Sequence, residues 1–430
     1  MKRTINISIL ALLLFCSICS CKKNYTNPAA ATSDQVLSSS KGLTGLAVSL
    51  QKIFSTSRAG TLYNLIAIDG FVTNQLIILN QGNTSEYQLS LGGTNVDGTN
   101  ANLGGLWTSA NKIIHDADLV IGNAGLLADK SYGSGLIAYA SIFKALAIGF
   151  LSEFWEKIPD GNGTSVNFIP RTDGFLRAIA VVDKAQAAIT ANAMSATFLA
   201  NIPAGVDIIN TLYALKARYS LFAGNYAQAL TAANAVDLTK KSTLNYEAAN
   251  LNPIFETVTS TNNVYAIIDS TLGLPVGLQP SLTDLRVPFY VATNAAFPRF
   301  RVNGFGAGSL TAWPIYLPGE ITLIKAEAYA RMAVPDLVNG LVELNKIVTK
   351  QPANDPFGVG ANQPIQVALT QSQLLDQIYR HRAIELFMSG LKLEDMRRFG
   401  RALTERKRNF FPYPFRERDN NVNTPADPSF

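Results

Sequence analysis

One apolar run restricts the fold of this chain more than any other. Between residues 136 and 155, Ile137, Ala140, Ile142, Phe143, Leu146, Ala147, Phe150, Leu151 and Phe154 recur at helical spacing. They cover most sides of the helix, so other elements have to wrap around it. "KIPDGNG" then ends the run. Helical spacing recurs elsewhere. Leu43, Ala47, Leu50, Ile53 and Phe54, then Leu62, Leu65, Ile66 and Ile68, predict two helices separated by Gly60. Trp107 opens another through Ile113, Ile114, Ala117, Val120 and Ile121, although the position of the Trp reads as core. Phe175, Ala178, Ile179, Val182, Ala185 and Ile189 share one face of a further helix.

Two stretches read as helical pairs. "TLYALKARYSLFAGNYAQALTAANAV" (211 to 236) joins two helices at Gly224 and Asn225, and "GEITLIKAEAYARMAVPDLVNGLVELNKIV" (319 to 348) turns at Val334 and Pro335. Gly224, Tyr226 and Ala229 match the G-x-Y-x-x-A core of a tetratricopeptide repeat, so the fold expected is mainly α, on a scaffold of helical pairs. Two regions interrupt it. Residues 81 to 105, rich in Gly, Asn and Thr, read as a long loop. Residues 237 to 318 carry Pro253, Pro275, Pro280, Pro288, Pro298, Pro314 and Pro318 and fit loops with short strands, among them "NVYAII" (263 to 268) and "RVPFYVA" (286 to 292).

The first residues, "MKRTINISILALLLFCSICS", have the layout of a secretory signal. Their apolar run is shorter than the roughly 20 residues a membrane span needs. Ile18, Cys19, Ser20 and Cys21 match a bacterial lipobox, in which Cys21 is cut free and acylated; two or more acyl chains anchor a protein firmly. The competing reading is an ordinary secretory signal whose cysteines pack as small apolar residues. Cys16, Cys19 and Cys21 are the only cysteines, so cleavage would leave Cys21 alone, without a disulfide, thiol nucleophile or thiolate metal site. Residues 1 to 20 are therefore read as the signal, 21 to 40 as a flexible tether and 41 to 430 as one helical body.

Composition removes several function classes. Without Lys2 and Arg3, 34 basic residues face 31 acidic ones, too even a balance to attract nucleic acid. Charged residues are 16% of the chain, so uncharged donors and acceptors must cover much of the surface, which suits neutral ligands. His115 and His381, the only histidines, stand in no metal-ligand spacing and read as solvated or capped helix residues. No nucleophile elbow, zinc-protease motif, Walker loop or dinucleotide fingerprint occurs, and "GFGAG" (304 to 308) precedes no phosphate-binding helix. A binding protein without cofactor or metal is expected rather than an enzyme.

"HRAIELFMSGLKLEDMRRFGR" (381 to 401) gathers five cations. Leu375, Tyr379, Ala383, Leu386 and Phe387 form one apolar side of a helix, with Arg380, His381 and Glu385 pointing elsewhere. Glu394 lies three and four residues before Arg397 and Arg398, and Asp395 three before Arg398, so the charges pair within a packed element. Gly390 and Gly400 end its two helices. The stretch resembles, without a gap, the pattern E-R-x-x-E-L-x-x-E-G-x-R-x-x-D-L-x-R-x-G of the SusD/RagB family of Bacteroidetes outer-membrane lipoproteins. It does so through Arg382, Glu385, Leu386, Gly390, Lys392 in place of arginine, Asp395, Met396 in place of leucine, Arg398 and Gly400. His381 and Ser389 stand where the family has glutamates. "LWTSANKIIHDADLVI", "LPGEITLIKAEAYARM" and the closing "FFPYPFRERDNNVN" are also similar to family segments.

That resemblance implies a lipoprotein of the outer membrane, facing the cell surface. It would capture a nutrient, most often a glycan, for a SusC-like TonB-dependent transporter, and carry no catalytic residues. Capture of oligopeptides and a scaffold for envelope proteins are the alternatives. A glycan site needs aromatic platforms beside polar partners. The candidates are Tyr87, Asn95 and Asn102 in the first irregular region and Tyr290, Arg301, Trp313 and Tyr316 in the second.

Overall fold

The computed structural model describes residues 33–429. The signal, Cys21 and most of the expected tether lie outside the described residues. The chain opens with helices α1 (Ser33–Leu37), α2 (Ser40–Ser55) and α3 (Thr61–Val72), strand β1 (Leu76–Ile78), and helices α4 (Thr84–Leu91), α5 (Ala101–Ala124) and α6 (Lys130–Phe154). After β2 (Lys157–Pro159) and β3 (Phe168–Pro170) come α7 (Arg171–Ala191), α8 (Ala196–Asn201), α9 (Ile208–Phe222) and α10 (Tyr226–Asn234). The irregular middle holds β4 (Thr243–Leu244), β5 (Tyr265–Ile267), α11 (Arg286–Tyr290), β6 (Val291–Thr293), β7 (Phe300–Val302) and β8 (Trp313–Pro314). The last part holds α12 (Pro318–Arg331), α13 (Leu337–Val348), α14 (Gln371–Glu385), α15 (Lys392–Arg398) and α16 (Phe415–Asn420).

Helix α6 is the axis of the core. From Tyr132 to Phe154 only Ile137 and Lys144 are not fully buried, and α2, α5, α7 and α9 pack around it. It is long and apolar enough to cross a membrane, but 89% of its most apolar window is buried inside the protein. Gly149 sets the approach of α9, because any side chain there would collide with the Tyr219 ring. Asp129 caps the start of α6 by accepting from Tyr132 N at 2.9 Å, and Asp207 does the same for α9 from Asn210 N at 3.0 Å. The helical pairs α9–α10 and α12–α13 form where the sequence places them, with Gly224 in the left-handed region (φ 77°) at the first turn.

The strands make four antiparallel pairs, β1–β5, β2–β3, β4–β8 and β6–β7. Leu76 faces Ile267, Leu244 faces Trp313 and Thr293 faces Phe300. "NVYAII" contains β5 as expected. "RVPFYVA" does not form one strand, since Arg286–Tyr290 is helical and only Val291–Thr293 is extended; Asp284 accepts from Arg286 N at 3.0 Å and starts that turn. The region 81 to 105 is not a structureless loop either. It holds α4, a 3₁₀ turn at Gly93–Asn95 and the start of α5, which begins six residues before Trp107. Its polar composition serves capping: Asn100 Oδ1 accepts from Asn102 N (3.1 Å) and Leu103 N (3.2 Å). Residues 33 to 37, assigned to the tether, are also helical.

The stretch from 381 to 401 is a buried structural element, as its charge spacing predicts. Arg382 Nε meets Asp395 Oδ2 at 2.9 Å, Arg398 Nη2 meets Glu327 Oε2 at 2.8 Å and Arg397 Nη1 meets Glu394 Oε2 at 2.9 Å. His381 and Glu385 do not point away from the core. Both are buried against Arg286, whose Nη2 donates to His381 Nδ1 (2.9 Å) and whose Nη1 reaches Glu385 Oε2 (3.1 Å). Burial, with Arg286 and Arg380 nearby, pushes the His381 imidazole well below its ordinary range, so it is neutral. His115, by contrast, is solvated on α5.

Candidate functional site

The first turns of α5 carry Ala101, Gly104, Gly105 and Thr108 on one side, and these small side chains leave space above the helix. The C-terminal segment closes the far wall: Phe415 N donates to Gly98 O at 3.0 Å, holding Pro414, Phe415 and Arg416 opposite the helix. The result is a cleft of about 540 Å³. Its floor is Trp107, whose indole Nε1 donates to Glu417 Oε2 at 3.1 Å and whose ring meets Trp155 edge-on at 4.8 Å. Phe415, 48% exposed, is the aromatic ring at the rim. Thr99, Thr108, Lys112 and Arg416 supply polar groups around it.

A second cleft of about 350 Å³ adjoins the first through Ala59, Ala101 and Gly105. Arg58, Ser85, Glu86 and Asn102 line it. Glu86 is buried, and its Oε1 accepts from Arg58 Nη2 (2.6 Å), Tyr63 Oη (2.8 Å) and Asn102 Nδ2 (3.4 Å). Burial works against the Arg58 charge, but the hydrogen bond and charge of Glu86 outweigh it and hold the guanidinium above its ordinary value. Burial, then Tyr265 and Glu86, push the Tyr63 phenol up, so it stays a donor. The carboxylate is thus engaged as a fixed strut under the wall. The two clefts can hold a polyhydroxylated ligand by ring stacking on Phe415 and by hydrogen bonds to hydroxyl, guanidinium and ammonium groups.

The residues expected to bind separate into several environments. Asn102 lines the smaller cleft, but it is buried and bound to Glu86. Tyr87 is half-buried on α4 and Asn95 is exposed, its Nδ2 donating to Gly92 O at 3.2 Å; neither lines the two clefts. Tyr290, Trp313 and Tyr316 are buried, 3%, 6% and 2% exposed, and are not open platforms. They line a narrow, mostly apolar pocket of about 50 Å³ beside Phe305 and Leu386. Trp313 is covered because it pairs with Leu244 and packs on Phe305. Arg301 lies half-buried on β7, its Nε donating to Pro298 O at 3.2 Å. Phe415, Arg416, Thr108 and Lys112 line the cleft but are not among the sequence candidates. A signal for Thr108 was present, since Ala101, Gly104, Gly105 and Thr108 have helical spacing; none existed for Phe415 and Arg416, which arrive from the end of the chain.

No family model matches the sequence, and no curated protein matches it. Solved structures do. A SusD superfamily protein from Parabacteroides distasonis superposes with a TM-score of 0.69 at 15% identity, over 93% of this chain and 100% of that one. A SusD-like protein from Bacteroides fragilis gives 0.68 at 13%, over 93% and 99%. A SusD-like carbohydrate binding protein, also from B. fragilis, gives 0.64 at 13%, over 85% and 87%. Over 93% of its length, the chain shares the fold of these SusD superfamily and SusD-like proteins.

Proposed function

We propose that this chain is a lipid-anchored receptor. It binds an oligosaccharide in the cleft at the start of α5 and delivers it to a SusC-like TonB-dependent transporter of the outer membrane, making and breaking no bonds in it. The observation that carries the reading is the likeness of fold over 93% of the chain, joined to an open cleft with an aromatic rim and uncharged hydroxyl groups. Among proteins of the same fold, one is described as a SusD-like carbohydrate binding protein and another, from Bacteroides vulgatus, as a putative sugar binding protein. The lipobox supports lipid anchoring through Cys21.

The full chain, purified from the envelope, is to be applied to parallel glycan and peptide arrays. Glycan binding with intact recovery of the sugar supports the reading; peptide binding alone, or cleavage of a bound glycan, overturns it. Fatty-acid labelling that vanishes in Cys21→Ser supports the anchor, and unlabelled wild-type protein excludes it.

A further inference from the structure

Most arginines with charged neighbours in this protein are tied to a carboxylate, among them Arg58, Arg171, Arg218, Arg286, Arg382 and Arg398. The hairpin formed by β6 and β7 departs from that rule. Arg299 has its guanidinium 5.5 Å from the Phe300 ring centroid, and Arg301 donates only to the Pro298 carbonyl. Among the described residues, neither makes an ion pair. Val291 and Val302, in register with each other, are buried, so alternation turns Arg301 and its partner Ala292 outward, and Arg299, two residues earlier, falls on the same side. The turn between the strands is closed by Asn294 N donating to Arg299 O at 2.8 Å. A concavity of about 360 Å³ opens there, lined by Thr293, Asn294, Ala295 and Arg299. Phe297, 78% exposed, stands at the tip.

An exposed ring beside two cations that have no carboxylate partner offers an apolar face and N–H donors to an external ligand. A guanidinium without an internal carboxylate presents its fork of N–H donors to an outside anion, and a planar acid group takes it in two parallel bonds. The Phe297 face suits the C–H face of a sugar ring. We infer that the β6–β7 hairpin is a second subsite that reads charge and selects acidic oligosaccharides, binding a sugar carboxylate through Arg299 and Arg301 and the ring through Phe297. The inference rests on the proposed role as a glycan receptor and departs from the neutral ligands that composition alone suggests.

The test measures binding of the full chain by calorimetry to three acidic probes, oligogalacturonate, hyaluronan oligomers and chondroitin sulfate. Methyl-esterified oligogalacturonate serves as the neutral isostere, neutral galactan as the uncharged glycan and polyglutamate as the acidic peptide. At least one acidic glycan is expected to bind, to weaken about tenfold in Arg299→Gln and in Arg301→Gln, to weaken in Phe297→Ala, and to bind less tightly at high salt. Arg299 and Phe297 are exposed, and unchanged circular dichroism of all three variants separates lost contacts from lost folding. Binding of neutral glycans only, unaffected by the arginine variants, overturns the inference while leaving the receptor reading intact. Polyglutamate bound as tightly as the acidic glycans overturns the assignment to sugars. Binding of no glycan at all removes the receptor reading itself.

Discussion

Replacing Lys392 by methionine probes the joint between the C-terminal element and the rest of the fold. Lys392 Nζ is buried and donates to three main-chain carbonyls, Gly273 O (3.0 Å), Thr73 O (3.1 Å) and Leu272 O (3.2 Å). The ammonium's three donors are thereby used, and the end of α3 is tied to the turn at 272 and 273. Three hydrogen bonds from a charged donor contribute about 1.5–3 kcal/mol each. Against this, burial pushes the Lys392 pKa down to about 8, opposed by Asp69 and Glu405, and the drop from 10.5 corresponds to a cost of about 3 kcal/mol. The difference leaves a net loss of about 3 kcal/mol for Lys392→Met at pH 7. Because the folded chain releases this proton near pH 8 and the unfolded chain near 10.5, wild-type stability gains with rising pH in that window. Between pH 7 and 9 the gain is roughly 1.4 kcal/mol, absent in the variant. Burial also holds the Asp69 carboxyl up at about 6, and loss of the nearby cation raises it further, which widens the same gap. Urea denaturation followed by circular dichroism at pH 7 and pH 9 measures both. An unchanged midpoint at pH 7, or a gap that narrows at pH 9, refutes the reasoning.

Three further substitutions test other joints. Gly390→Ala places a side chain in the left-handed region (φ 83°) and against Leu65; a loss of about 3 kcal/mol or more is expected in urea. Asn100→Ala removes the cap of α5, and its Nδ2 also holds Ser85 O at 3.0 Å; about 1–2 kcal/mol should be lost, with faster hydrogen exchange in the first turn of α5. Arg218 meets buried Glu320 at 2.6 and 2.7 Å. Arg218→Met alone should therefore cost about 3–5 kcal/mol, and adding Glu320→Leu should recover most of it.

The local rules of the chain made the scaffold legible. The spacing that wraps Phe143, Leu146 and Phe150 around one helix gives a buried axis, and the turns at Gly224 and Pro335 give the helical pairs. The pairing of Asp395 with Arg398 was likewise visible as a three-residue spacing. Contacts between distant segments were not. His381 looks solvated in sequence because its partner, Arg286, lies 95 residues away. Residue type singles out Trp313 and Tyr290, whereas burial depends on Phe305, Leu244 and Phe387, which meet them only in the folded chain. The cleft escaped for the same reason: one wall is the small-residue side of α5, and the other is Pro414 to Arg416, more than 300 residues later.

Thr108→Trp tests the central claim most directly. Thr108 is exposed on α5 and lines the cleft, so an indole there fills the binding space and disturbs no buried contact. The account predicts at least about a tenfold fall in affinity for whichever glycan the wild-type chain binds, with an unchanged urea midpoint. Equal affinity in the folded variant would contradict it and place the ligand elsewhere on the molecule.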